Sequence, residues 1–413
     1  MNVYSFGIGD RFARQGVAQL KAFEKARGSG TEITPVWNKS YREHKTVGSN
    51  HRSVREEADS ATRTLQWQHP YLVDADHINL GNVDEFIEYS DFFTIDVAEY
   101  IGQKTPEKFI REFVKANSPY TGLFEIPGIA SPFRISEDFI WHIGENFLLA
   151  AREASKVYRH ILSKKGPDNF IPEISMDEVN NPQKPAELFF ILSALHFYEV
   201  KPRTIAPKFT GRFNKGVDYE GDIGQFEKEF VEDLHVLDFA VREFNLPADL
   251  KLSVHSGSDK FSIYPSVSGS IKKYKKGLHI KTAGTTWLEE LAGLAISGRK
   301  GLEMSKSIYK KAFERYDELT APYATVIDID KINLPVPERV FEWEPEKFFG
   351  TLRHVPGHPD FNKDFRQLLH VGYKVAAEFG DEFLHLLDEN EKFIAPLVTE
   401  NLFANHIRPL FID

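Results

Sequence analysis

The chain contains no cysteine. Disulfides, cysteine-ligated zinc, iron–sulfur clusters and thiol nucleophiles are all excluded by that absence. Any metal must rest on histidine, aspartate, glutamate or similar ligands. Methionine is scarce, at 3 of 413 residues, whereas phenylalanine reaches 34, which reads as a packed aromatic core and nothing functional. No run approaches the ~20 apolar residues of a membrane span. Met1 to Asp10 lack the basic stretch and apolar core of a secretory signal. The expectation is a cytoplasmic protein with no membrane partner. Positive charge is not in excess either: 51 Lys+Arg against 61 Asp+Glu leave a formal charge of -10, which argues against a general nucleic-acid binder. A glycine-rich phosphate fingerprint is also missing. Asp10-Arg11 stand where a dinucleotide-binding turn after the first apolar run would need small residues.

What the chain does have is a regular alternation of short apolar runs with amphipathic stretches. The runs are Val3–Gly9, Ile33–Asn38, Tyr71–Asp76, Phe92–Val97, Phe170–Met176, Arg203–Pro207, Leu250–Val254 and Leu278–Lys281. Between them lie helical patterns, the clearest being the stripe Phe226, Phe230, Leu234, Leu237, Val241. Eight strands alternating with helices predict an α/β chain folded as a (β/α)8 TIM-like barrel over residues 1–285. A helical insertion is expected after the fourth strand, at about 103–168. A mostly helical extension, 286–413, is expected to pack on the barrel, with one strand-like stretch at Tyr323–Ile329.

Active sites of such barrels lie at the C-terminal ends of the strands. Here those ends offer Asp10, Arg11, Asn38, Lys39, Asp76, His77, Asp96, Asp177, Glu178, Lys208, His255, Lys260 and Lys281. Any one of them could be an ordinary loop charge or helix cap. A full ring of them is harder to explain as surface decoration, because each buried charge costs several kcal/mol unless paired, hydrated or metal-bound. Asp74-Ala75-Asp76-His77 is the sharpest local signal: Asp74 and Asp76 share a strand face, with an imidazole next in the chain. His77 and His255, from separate strands, could share a divalent ion with a carboxylate completing the set. Asp218, Asp222 and Glu178 are the candidate carboxylates, and His279 is a further possible ligand. Lys208, Lys260 and Lys281 suit an anionic substrate, or else neutralise the acidic residues around them.

Several of these segments are long and unusual. Gly9-Asp10-Arg11-Phe12, Asn38-Lys39-Ser40, Asp74-Ala75-Asp76-His77, Ala206-Pro207-Lys208-Phe209, the stretch from His255 to Phe261, Lys281-Thr282-Ala283-Gly284-Thr285-Thr286-Trp287 and the stretch from Arg366 to Lys374 resemble the tagaturonate epimerase family, over nearly the whole chain. That resemblance implies interconversion of D-tagaturonate and D-fructuronate in hexuronate catabolism, with a divalent metal whose identity (Zn, Mn, Fe, Co or Ni) the ligand types leave open. Related enzymes act on the neutral ketohexoses fructose and tagatose. Transferred onto this sequence, the resemblance makes Asp76 the proton acceptor, Glu178 the proton donor, His77 and His255 metal ligands, and Asp222 the third ligand, with Asp218 and His279 as its rivals. Lys208, Lys260 and Lys281 would face the substrate carboxylate. The small-molecule partner is then a keto-uronate or ketohexose; the oligomeric state is not indicated.

The epimerised carbon bears a hydroxyl β to the ketone, so its C–H is not acidified and simple enolisation cannot invert it. Retro-aldol cleavage and re-addition, transient oxidation through a nicotinamide, and direct proton transfer between Asp76 and Glu178 are the three routes. Another metal-dependent barrel hydrolase or isomerase, and a non-catalytic sugar-binding protein, are the alternatives by class.

Overall fold

The computed structural model describes residues 2–177, 179, 181–256, 259–282 and 285–413. In chain order, β1 (Tyr4–Ile8) leads to α1 (Gly16–Gly28), and β2 (Ile33–Ser40) runs straight into α2 (Tyr41–Val47) and then α3 (Arg52–Thr64). Strands β3 (Leu72–Ile78) and β4 (Phe92–Asp96) are joined without a full helix, by a single tight turn at Val83–Glu85. The expected insertion follows as α4 (Glu107–Asn117), a hairpin of β5 (Gly122–Phe124) and β6 (Phe133–Ile135), and the long α5 (Glu137–Lys165). The hairpin is an addition to the helices expected there. Then come β7 (Ile171–Ser175), α6 (Pro185–Phe197), β8 (Thr204–Ala206), α7 (Ile223–Glu243), β9 (Lys251–His255), α8 (Tyr264–Tyr274) and β10 (Leu278–Lys281).

Strands β1–β4 and β7–β10 form a closed parallel barrel in the order β1-β10-β9-β8-β7-β4-β3-β2, with β2 pairing back onto β1. The outer faces of the strands are apolar: Phe6, Phe93, Ile95, Ile174, Ile205, Leu252, Val254 and Ile280 are all buried. Helix α7 turns its stripe inward through Phe226, Phe230, Leu234 and Leu237. Much of the phenylalanine collects under the hairpin, where Phe189 packs its ring 4.7 Å from Phe124, 5.2 Å from Phe244 and 5.6 Å from Phe239. Aromatic pairs at such spacings add to simple burial.

The barrel interior departs from the branched aliphatic filling usual for this architecture. Thr94 donates to Asp74 at 3.0 Å, and lies 3.1 Å from Glu173 and 2.7 Å from the Lys281 ammonium. Below them Ser5 meets His279 Nδ1 at 2.9 Å. Gly7 makes room for this arrangement, since a Cβ there would stand 3.2 Å from Lys281 Cα and Cγ and 3.0 Å from Asn38 Nδ2.

After β10, α9 (Thr285–Ile296) and α10 (Arg299–Glu314) open the extension, which is helical for most of its course. The strand expected at Tyr323–Ile329 does not form. A closed barrel has no free edge to receive it, and the segment instead runs irregularly past the barrel mouth. The final stretch, Asn401–Ile412, winds in wide turns and brings Phe411 4.9 Å from Tyr4 and 6.3 Å from Phe6. No helix among the described residues is long and apolar enough to cross a membrane.

Candidate active site

A cavity of ≈ 340 Å³ opens at the strand ends, within the size range of small-molecule sites. Its floor and walls include Asp76, His77, Asp96, Asp177, His255 and Lys281 from the barrel, Arg42 from α2, Lys208 and Lys215 from the loop after β8, and Tyr323 and Val326 from the extension.

His77 reaches the cavity through a local irregularity. Alternation would send its side chain to the face opposite Asp76. The pairing of β3 with β4 slips between Ala75 and Ile78, and His77 adopts φ 54°. A bulge with a left-handed residue re-aims one side chain, and a histidine in that conformation stores backbone strain. Its Nδ1 then meets Asp96 Oδ2 at 2.9 Å, while Nε2 lies 3.7 Å from Asp76 Oδ1. His255 ends β9 in a matching way. Its Nε2 lies 2.8 Å from Glu173 Oε1, and its Nδ1 lies 3.1 Å from Asp177 Oδ1.

Each histidine thus has one ring nitrogen held by a carboxylate, half-buried Asp96 or fully buried Glu173, and the other turned to a common centre, the arrangement that fixes metal-binding imidazoles. His77, Asp177 and His255 each offer a ligand atom, all within 4.8 Å of one another. The buried Nδ1 of His255 makes no hydrogen bond. Two imidazoles and one carboxylate suit a borderline divalent ion with positions left open for substrate, so the residues present fit a metal. The electrostatics agree. Burial opposes charge on both imidazoles, yet Asp76 and Asp96 hold His77 well above its ordinary pKa, and Asp177 and Glu173 lift His255 to about 9. The same centre holds Asp177 far below the usual carboxylate range, against the cost of its burial, chiefly through His255. The pocket demands positive charge, which a divalent ion would supply in place of the two imidazole protons.

Beside this centre, Lys281 is clasped by Asp76 at 2.7 Å, Asp74 at 2.8 Å and Glu173 at 3.4 Å. Burial resists the ammonium, but these three carboxylates outweigh it and keep Lys281 charged. Burial likewise resists charge on Asp76, and Lys281 outweighs it, holding the carboxyl ionised below its ordinary pKa. Asp74, the deeper of the pair, is pushed by burial to about 7.

Of the residues expected from the sequence, Asp76, His77, His255, Lys208 and Lys281 come together at the cavity. Asp222, expected as the third ligand, does not join them. It is exposed and caps α7, its Oδ1 accepting from Gln225 N at 3.0 Å; the carboxylate beside the two histidines is Asp177. Asp218 is engaged by Ser262, and His279 is buried against Ser5. Lys260 is also elsewhere: it is fully buried and donates to the Asn214 and Val217 carbonyls at 2.8 and 2.6 Å. Glu178 lies outside the described residues. Asp96, which with Glu173 orients the histidines, stood among the strand-end candidates without a role, whereas Glu173 and the cations Arg42 and Lys215 were not singled out from the sequence. Glu173 could have been found, since it lies in β7, where alternation turns it to the same side as Ser175 and away from the outer-facing Ile174.

Comparison with known proteins identifies the family and the fold. A family model described as tagaturonate epimerase matches residues 1–410. A tagaturonate/fructuronate epimerase of Thermotoga maritima is 27% identical over 414 residues, covering 96% of this chain and 79% of that protein. The native crystal structure of fructuronate-tagaturonate epimerase UxaE from Cohnella laeviribosi has a TM-score of 0.77 at 25% identity, covering 98% of this chain and 81% of that one. Its complex with two glycerols has a TM-score of 0.81 at 24% identity, covering 99% and 82% respectively, and shows the shared fold.

Proposed function

Because the chain belongs to the tagaturonate epimerase family, and is therefore an isomerase of the epimerase type, we propose that it interconverts D-tagaturonate and D-fructuronate in a metal-dependent reaction at the barrel mouth. The observation that supports this most is the placing of His77, Asp177 and His255 within 4.8 Å of one another, in one cavity with Asp76. His77, Asp177 and His255 would hold a divalent ion, which would supply Lewis acidity for the enolate-type charge that develops when the bond between the α and β carbons of the ketone is broken.

Asp76 is the proton acceptor. It is ionised, held in place by the Lys281 ammonium, and set against the cavity where the substrate hydroxyl would lie. The route it serves best is retro-aldol cleavage. Asp76 takes the hydroxyl proton, the adjacent C–C bond breaks, the aldehyde turns over, the bond re-forms on its other face, and Asp76 returns the proton. This route uses a single acid–base group, whereas direct inversion at carbon needs two groups on opposite faces and must remove an unactivated proton. Lys281 contributes in both directions, stabilising the Asp76 carboxylate when it is charged and remaining paired with Asp74 when it is not.

The test is to strip the protein with a chelator, restore single metals, and follow both keto-uronates by NMR. Interconversion should require metal. Asp76→Asn should bind metal as the parent does and lose at least about a thousandfold in kcat, within the range for removal of an acid–base group. No interconversion with any metal, or full activity of Asp76→Asn, would overturn the proposal. A bound nicotinamide, with no crossover product when a trapping aldehyde is added, would replace the retro-aldol route with transient oxidation.

A further inference from the structure

Around the acidic centre, the cations of the cavity differ in whether a carboxylate holds them. Lys281 is taken by Asp74, Asp76 and Glu173, and Arg11 by Glu43 at 3.0 Å. Among the described residues Arg42, Lys208 and Lys215 line the cavity with no carboxylate at ion-pair distance. Two of these three neighbour the same aromatic ring. The Arg42 guanidinium lies 5.6 Å from the centre of the Tyr323 ring, and the Lys215 ammonium lies 5.9 Å from the same ring. Tyr323 is itself anchored, its hydroxyl 3.0 Å from that of Tyr373. Lys215 is anchored through its backbone N–H, which donates to the Val326 carbonyl at 2.7 Å. Helix α2, the loop after β8 and the irregular segment of the extension thus bring two cations to one aromatic ring at the mouth of the cavity.

Cations without counter-ions favour an anion near them, and one that reaches both is favoured by both. Arginine presents a planar fork that matches a carboxylate, and lysine adds a second charge. We propose that Arg42 and Lys215, seated on Tyr323, form the subsite that binds the substrate carboxylate and so set the preference for keto-uronates over neutral ketohexoses. The inference rests on the epimerase reading above but assigns a separate part of the cavity. It also gives the clamp a second duty. Retro-aldol cleavage leaves the carboxylate on the aldehyde fragment, and the clamp is what keeps that fragment in place until the bond re-forms.

The test compares the parent with Arg42→Ala, Lys215→Ala and Lys208→Ala. Neither clamp side chain is an anchor of the fold, as Arg42 is exposed and Lys215 half-buried. Calorimetric titration of the metal-loaded protein with galacturonate and with galactose measures binding apart from turnover. Each clamp variant should bind galacturonate about ten- to a hundredfold more weakly, the range for losing a charge-assisted hydrogen bond, with galactose binding unchanged. KM for tagaturonate should rise by a similar factor, and the aldehyde acid should escape into solution. Equal losses for the acid and the neutral sugar, no loss at all, or a larger selective loss in Lys208→Ala would overturn the assignment. If the parent itself interconverts no keto-uronate, the epimerase reading fails, while the titrations still decide whether the clamp binds a carboxylate.

Discussion

At the scale of single residues, the site depends on carboxylates that differ sharply in what they hold. Asp177 faces the His255 imidazole, and Asp222 caps a helix. Asp177→Ala should therefore lose more metal affinity than the ~10–100-fold that removal of an outer partner costs. Asp222→Ala should bind metal fully and lose about 1 kcal/mol of stability, as removal of a helix cap does. Metal content after dialysis and urea melts of the two variants would check both; metal loss in Asp222→Ala would reverse the assignment. The sequence made Asp76, His77 and His255 legible because each closes an apolar run. It did not separate Asp177 from Asp222, since both sit beside a strand end or loop. One signal was available: Asp222 stands just before an amphipathic helix with Gln225 three residues on, a pattern that reads first as a cap. The inward turn of His77 was not legible at all, because it follows from a bulge that alternation does not predict.

At the scale of elements, strand positions follow from apolar outer faces, and all eight barrel strands fall where the runs predict them. The stretch at Tyr323–Ile329 has strand-like composition but no partner edge, so tertiary context decides against it. Its irregular course is what delivers Tyr323 and Val326 to the cavity. The helices of the extension depend on close approach in the same contextual way. Gly301, buried in α10, has no room for a side chain: a Cβ would stand 2.2 Å from the Leu294 carbonyl oxygen and 2.4 Å from Ser297 Oγ. Gly301→Ala should shift α10 away from α9 and cost about 1–3 kcal/mol, the usual range for overpacking. The urea midpoint should fall while the folded fraction keeps its activity; an unchanged midpoint would mean the helices can separate at no cost.

At the scale of the whole molecule, stability should depend on pH through a lysine far from the chemistry. Lys251 opens β9, is 5% exposed, and donates to the Asn2 and Val3 carbonyls at 2.9 and 3.0 Å. Burial lowers its pKa to about 7, only partly opposed by Asp249. In the unfolded chain the group titrates near its ordinary value of about 10.4. Between those values the unfolded state binds the extra proton, so the contribution of Lys251 to unfolding free energy rises with pH from 7 to about 10 and is flat above. Urea melts at pH 7 and pH 9 should show a smaller gain for Lys251→Met than for the parent. An equal gain in both would place the proton elsewhere, with Lys260, also lowered to about 7 by burial, the next group to replace.

The polar barrel interior also sets a timetable. One edge of β1 is closed only by β10: Ser5 and His279, which meet inside the barrel, are 274 positions apart. At ordinary rates of translation that interval is roughly 15–60 s. During it, Asp74, Asp76 and Glu173 have emerged without the Lys281 ammonium that neutralises them. A nascent half-barrel would have to bury three uncompensated carboxylates, so early collapse is penalised and the strands wait. The strand that seals the ring is also the one that brings the counter-ion. Closure and charge balance therefore arrive in the same step, once β10 has emerged.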